Sequence, residues 1–66
     1  MQIKFYIEKY RLEKNLSLSE LAKLSGVSKT YTHSIEAGDR MPSIEVICKL
    51  AVALKVPSYF LYSYDE

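Results

Sequence analysis

Ser17-Leu18-Ser19-Glu20-Leu21-Ala22-Lys23-Leu24-Ser25-Gly26-Val27-Ser28-Lys29-Thr30-Tyr31-Thr32-His33-Ser34-Ile35-Glu36-Ala37 holds two helix starts and one helix stop within 21 residues. Ser17 followed three residues later by Glu20 is a capping box. The serine hydroxyl can accept from the Glu20 amide while the glutamate reaches back to the start of the turn. Leu21, Ala22 and Leu24 continue on the inward side, and Gly26 falls where a left-handed residue stops the helix at little steric cost. The reading predicts a helix over about 18–25. Ser28 then offers a second N-cap and predicts a helix over about 29–37, closed by Gly38.

The second of these helices is unlike its neighbour. Ile35 is its one strong aliphatic, with Tyr31 and Thr32 as weaker inward candidates. Lys29, Thr30, His33 and Ser34 all end in hydrogen-bonding groups. So thin an apolar face makes a helix marginal on its own, and its polar surface needs another use. Two short helices joined across Gly26-Val27-Ser28 have the geometry of a helix-turn-helix. Its second helix fits a major groove about 12 Å wide and reads base edges with its first residues. The free amides at both helix starts suit phosphate oxygens.

Upstream, Ile3, Ile7 and Tyr10 recur at i, i+4 and i+7, which predicts a helix over about 2–14 ending at a left-handed Asn15. Lys4/Glu8 and Lys9/Glu13 stand four apart and suit its solvated side. Downstream, Asp39-Arg40-Met41 forms a loop and Pro42-Ser43 opens a fourth helix capped by Ser43. Its expected inner positions are Ile44, Ile47, Cys48, Leu50, Ala51 and Leu54. Val56-Pro57-Ser58 breaks it, Tyr59 to about Tyr62 forms a last short helix, and residues 63–66 fray. No segment reads as a strand. The expectation is an all-α bundle of about five short helices in one domain over 1–66, with the helix-turn-helix at about 17–37.

Composition narrows the function classes. A chain of 66 residues has room for one small core and buries about 60% of its unfolded surface. With 48% apolar residues it is too hydrophobic to be disordered. Cys48 stands alone, so no internal disulfide forms, and no His/Cys cluster offers a metal site. A free cysteine of this kind is expected in the core. No signal peptide is visible, and no apolar run approaches the roughly 18 residues of a membrane span. These features predict a soluble, cytoplasmic protein. The net charge of +1 decides little, although residues 1–43 hold seven basic against five acidic side chains and residues 44–66 two against three. An enzyme is not expected: no nucleophile–base pair, metal set or glycine-rich phosphate loop is present. His33, Ser34 and Glu36 on one short helix cannot converge as a hydrolytic triad.

Taken in order, Arg11, Asn15-Leu16-Ser17, Ser19-Glu20-Leu21-Ala22, Gly26-Val27-Ser28, Ile35-Glu36-Ala37-Gly38, Arg40, Pro42-Ser43, Leu50-Ala51-Val52-Ala53-Leu54 and Val56 stand at characteristic spacing. The chain thereby resembles the Cro/phage-repressor-like, or XRE-type, helix-turn-helix regulators over roughly residues 3–62. The resemblance implies a lambda-repressor-like fold and binding of double-stranded operator DNA as a homodimer. It implies base contacts from Lys29, Thr30 and Ser34, with His33 beside them, and backbone contacts from Ser17, Ser28, Tyr31 and Arg40. Leu18 stands where the family often has a phosphate-gripping glutamine. Thr32 replaces a usual buried aliphatic, which predicts a less well-packed recognition helix. Glu36, at the unfavourable negative end of the helix dipole, requires a cation, and Arg11 is the partner that the resemblance supplies.

Tyr59, Phe60, Tyr62 and Tyr64 put four aromatics into six residues. That exceeds what so small a bundle can cover, and aromatic clusters are common at interfaces. A homodimer contact is expected over about 44–64, with Val52, Tyr59, Phe60 and Tyr62 in it. Recognition helices of such a dimer enter successive major grooves about 34 Å apart on a palindromic operator. Occupancy there blocks or assists RNA polymerase, with control through concentration and dimerisation. The resemblance allows a phage or plasmid repressor, a restriction-modification controller or an antitoxin-like autoregulator. No cofactor or small-molecule ligand is expected. The alternative is a protein-interaction module that keeps the fold without touching DNA.

Overall fold

The computed structural model describes residues 1–66. Strand β1 (Gln2–Phe5) is followed by helices α1 (Ile7–Glu13), α2 (Leu18–Ser25), α3 (Lys29–Glu36) and α4 (Ile44–Leu54). A 3-10 turn (Ser58–Phe60) then leads into strand β2 (Tyr62–Asp65). Three helices begin as their serines dictate: the hydroxyls of Ser17, Ser28 and Ser43 accept from the amides of Glu20, Tyr31 and Val46 at 3.0, 3.1 and 3.2 Å. Such a cap stabilises a helix by about 1 kcal/mol. Gly26 ends α2 at φ 75°, and Asn15 follows α1 at φ 57°.

The core is shared between the elements. Ile7, Leu21, Val27, Ile35, Ile47, Leu50, Ala51, Leu54 and Leu61 form one buried cluster, so α1 to α4 and the residue after the 3-10 turn each supply part of it. Full burial of such a side chain is worth about 2 kcal/mol relative to exposure. No helix is long and apolar enough to cross a membrane.

Both ends of the chain depart from the expected helices. Residues 2–5 form β1 and 62–65 form β2, paired antiparallel with Gln2 opposite Asp65 and Phe5 opposite Tyr62. The architecture is therefore four helices, a 3-10 turn and a two-stranded sheet rather than a purely α bundle of five. Ile3 and Phe5 are half-buried while Gln2 and Lys4 are exposed, a period of two. Ile3 also lies four residues before Ile7, so the same residues satisfied a helical spacing. The Tyr6 amide donates to the Leu61 carbonyl at 2.9 Å and the Tyr6 and Ser63 hydroxyls meet at 2.7 Å, tying down the segment expected to fray. With Lys4 on the strand, the expected Lys4/Glu8 helix pair does not form, nor does Lys9/Glu13; α1 pairs Glu8 with Arg11 at 3.8 Å instead.

Cys48 is exposed, not a core residue, and Ile44 is 80% exposed. Ile47, Leu50, Ala51 and Leu54 fill the inner arc of α4. At about 100° per residue, Cys48 is turned well away from Ile47 and Leu50 and falls outside that arc. Thr32, by contrast, is wholly buried, and its hydroxyl donates to the Ser28 carbonyl at 2.9 Å. The polar atom at this core position is satisfied within its own helix, so α3 packs without an orphaned group.

Candidate nucleic-acid interface

Helix α3 has two sides of different chemistry. Thr32 and Ile35 are its buried residues, facing α1 and α2. At 100° per residue Lys29, Thr30, His33 and Ser34 occupy the opposite arc. Lys29, Thr30 and His33 are exposed and Ser34 is half-buried. The four side chains of the expected base-reading set thus share one outward face, with Lys29 and Thr30 in the first turn. Lys29 and Thr30 themselves are left open to solvent, and Lys29 takes part in no ion pair.

The starts of α2 and α3 and the loop after α3 carry groups suited to anions. Ser17 and Ser28 are N-caps whose oxygens accept from backbone amides, which leaves each hydroxyl hydrogen free to donate outward. Glu20 completes the capping box by accepting from the Ser17 amide at 2.8 Å. That backbone bond, helped by the Ser17 side chain, holds the Glu20 carboxyl below its ordinary pKa. Tyr31 is half-buried against the core, and the guanidinium carbon of Arg40 stands 5.2 Å from its ring centroid. This stacking was not visible in the sequence, because a separation of nine residues across a loop gives no periodic signal.

Rigidity of α3 relative to α1 comes from Arg11. Its Nε donates to Glu36 Oε2 at 2.8 Å and its Nη2 to Oε1 at 3.1 Å, while Nη1 donates to the Leu16 carbonyl at 2.9 Å. Donation to the Glu36 carboxylate raises the guanidinium pKa, against the smaller opposing effect of burial. One side chain therefore joins α1, the turn before α2 and the end of α3.

A family model described as helix-turn-helix matches residues 7–61, from the first residue of α1 to the buried Leu61. The chain belongs to this helix-turn-helix family. It is of the XRE type, a family of DNA-binding transcriptional regulators. The regulator SinR of Bacillus subtilis is 45% identical over 56 residues, which cover 83% of this chain and 50% of SinR. The chain thus spans half the length of that curated relative. Among solved structures, the restriction-modification controller C.AhdI from Aeromonas hydrophila superposes with a TM-score of 0.78 at 38% identity, over 80% of each chain. A crystal structure of SinR in complex with DNA superposes with a TM-score of 0.77 at 44% identity, over 80% of this chain and 86% of that one.

The four residues expected at a dimer contact lie on three elements, α4, the 3-10 turn and β2. Val52 is 78% exposed on α4, and Tyr59 projects from the 3-10 turn. Phe60 is partly spent within the chain, its ring 6.0 Å from Tyr10 and 5.4 Å from Tyr59. Tyr62 lies on β2 beside Ile3, Phe5, Met41 and Ile44. Val52, expected at an interface, continues a stripe of exposed apolar side chains with Ile44 and Cys48, at i, i+4 and i+8 along α4 with Leu24 beside it. Ile44 and Cys48 belong to this stripe and not, as their spacing suggests, to the core.

Proposed function

We propose that this chain binds double-stranded operator DNA and regulates transcription by occupying a promoter. The observation that carries the reading is the outward face of α3: Lys29, Thr30, His33 and Ser34 on one arc, free of intramolecular ion pairs, behind a rigid helix pair. Lys29 and Thr30 read bases from the first turn, with Ser34 and His33 alongside. The phosphate side consists of Ser17, Ser28 and Arg40, together with Tyr31, whose ring carries the Arg40 guanidinium. Arg11 and Glu36 serve as structure, holding α3 at a fixed angle to the rest.

The active species in this reading is a homodimer on a palindromic operator, assembled through about residues 44–64 with Val52, Tyr59, Phe60 and Tyr62. Exposed apolar area on α4 and around the 3-10 turn supports it, because a monomer has no use for that surface. Likeness to C.AhdI and SinR supports the regulatory role. The settings that fit are a phage or plasmid repressor, a restriction-modification controller or an antitoxin-like autoregulator, in the cytoplasm, with RNA polymerase blocked or assisted at the promoter.

A second reading, a protein-interaction module that no longer binds DNA, draws on the exposed stripe of α4. Titration of a duplex at a series of salt concentrations separates the two. Phosphate contacts make log affinity fall linearly with log salt, by about 0.9 for each contact. A steep slope supports the regulator; no binding even at low salt supports the interaction module.

A further inference from the structure

We infer that Tyr31 is a positioning residue for DNA binding: its ring face holds the Arg40 guanidinium beside the first turn of α3, and Arg40 rather than the Tyr31 hydroxyl meets the phosphate. The inference rests on the DNA-binding reading above and assigns the work within its phosphate side.

The backbone explains how a loop residue reaches the start of a helix. Beyond α3 the chain turns at Gly38, whose φ of 83° is in the left-handed region. The Gly38 amide donates to Ile35 at 3.1 Å and the Asp39 amide to Ser34 at 2.8 Å, which binds the loop to the last turns of α3. From there the Arg40 side chain runs back along the helix to Tyr31, whose ring centroid is 5.2 Å from Cζ. Tyr31 is fixed by packing against the core, whereas Arg40 is exposed. A fixed ring beneath a flexible cation lowers the ordering cost when an anion arrives.

Charge points the same way. Arg40 makes no ion pair with any carboxylate of the chain, its neighbour Asp39 included. The guanidinium is therefore uncommitted, and its N–H edge matches two phosphate oxygens at once. A cation over an aromatic face at an exposed site alters an equilibrium by about two- to fivefold. Phenylalanine provides the same face without a hydroxyl, which makes the two roles of Tyr31 separable.

The test is a double-mutant cycle on the full chain, with a mixed-sequence duplex about three helical turns long as probe. Circular dichroism first confirms equal helix content in Tyr31→Phe, Tyr31→Leu, Arg40→Ala and the double variant Tyr31→Leu/Arg40→Ala. The expected results are that Tyr31→Leu binds about two- to fivefold more weakly than the wild type and that Tyr31→Phe, which keeps the ring face, loses less than Tyr31→Leu. Arg40→Ala lowers the salt slope by about 0.9, and adding Tyr31→Leu to it costs nothing further. If Tyr31→Phe loses as much as Tyr31→Leu, or if the Tyr31→Leu loss is undiminished without Arg40, the inference is overturned while DNA binding stands. Absence of binding by the wild type removes the DNA-binding reading and this inference with it.

Discussion

Arg11 and Glu36 form a two-pronged ion pair across 25 residues of sequence, Nε to Oε2 at 2.8 Å and Nη2 to Oε1 at 3.1 Å, with the Glu36 side chain only 4% exposed. Removing one partner strands the other in a largely buried site. Arg11→Met or Glu36→Gln is expected to cost about 3 kcal/mol of stability in urea unfolding. Combining Arg11→Met with Glu36→Met should cost clearly less than the two single changes added together, since no charge is left buried. Additive losses would show that the two side chains do not act as a unit.

The Glu20 capping box predicts a pH dependence of definite sign. Its carboxyl is held below the ordinary value of 4.5 by the Ser17 amide and hydroxyl. A lowered folded-state pKa gives stability that is complete above the unfolded pKa and lost as pH falls through the folded one. Glu20→Gln keeps a side chain able to accept from the Ser17 amide but cannot titrate. Thermal unfolding is expected to show the wild type ahead of Glu20→Gln near neutrality, with the gap closing below pH 4.5. A gap that is constant with pH contradicts the assignment.

The end of α4 gives a prediction about backbone strain. Lys55 caps the helix at φ 59°, a left-handed conformation that glycine adopts freely. For an L-residue this costs about 1–2 kcal/mol, against a glycine entropy penalty of about 0.5–1 kcal/mol. Lys55→Gly is expected to raise stability by about 0.5–1 kcal/mol, and Lys55→Val to lower it. Chemical denaturation checks both.

The proposed self-association rests on the apolar surface of α4 and the 3-10 turn. Sedimentation is expected to give a dimer mass for the wild type, and Val52→Asp should weaken association about tenfold without loss of helix content. A wild type that stays monomeric at every concentration, on and off DNA, removes the dimer.

The middle of the chain was legible because its signals are local. Ser17 with Glu20, Gly26 and Ser28 each act within one helical turn, and they set the limits of α2 and α3 almost to the residue. The outward polar arc of α3 followed from the same periodicity. The ends were not legible, since the strand nature of Ile3 and Phe5 depends on Tyr62 and Tyr64, some sixty residues away, whose pairing leaves no local trace. On α4 the apolar pattern is too wide for one face, so Ile44 and Cys48 read as core until packing shows which arc α2 covers. The family resemblance marks Arg40 as an expected phosphate contact, but its platform on Tyr31 depends on a loop path that no residue pattern encodes.

Selection of bound duplexes from a random-sequence library tests the central claim most directly, run in parallel with the wild type and with Lys29→Ala and Thr30→Ala. The account predicts enrichment of an inverted repeat by the wild type. Each variant should lose preference at its own base positions in both half-sites, at about 1–3 kcal/mol per contact. Recovery of unenriched sequence by a folded wild type, or an unchanged motif from both variants, would contradict it.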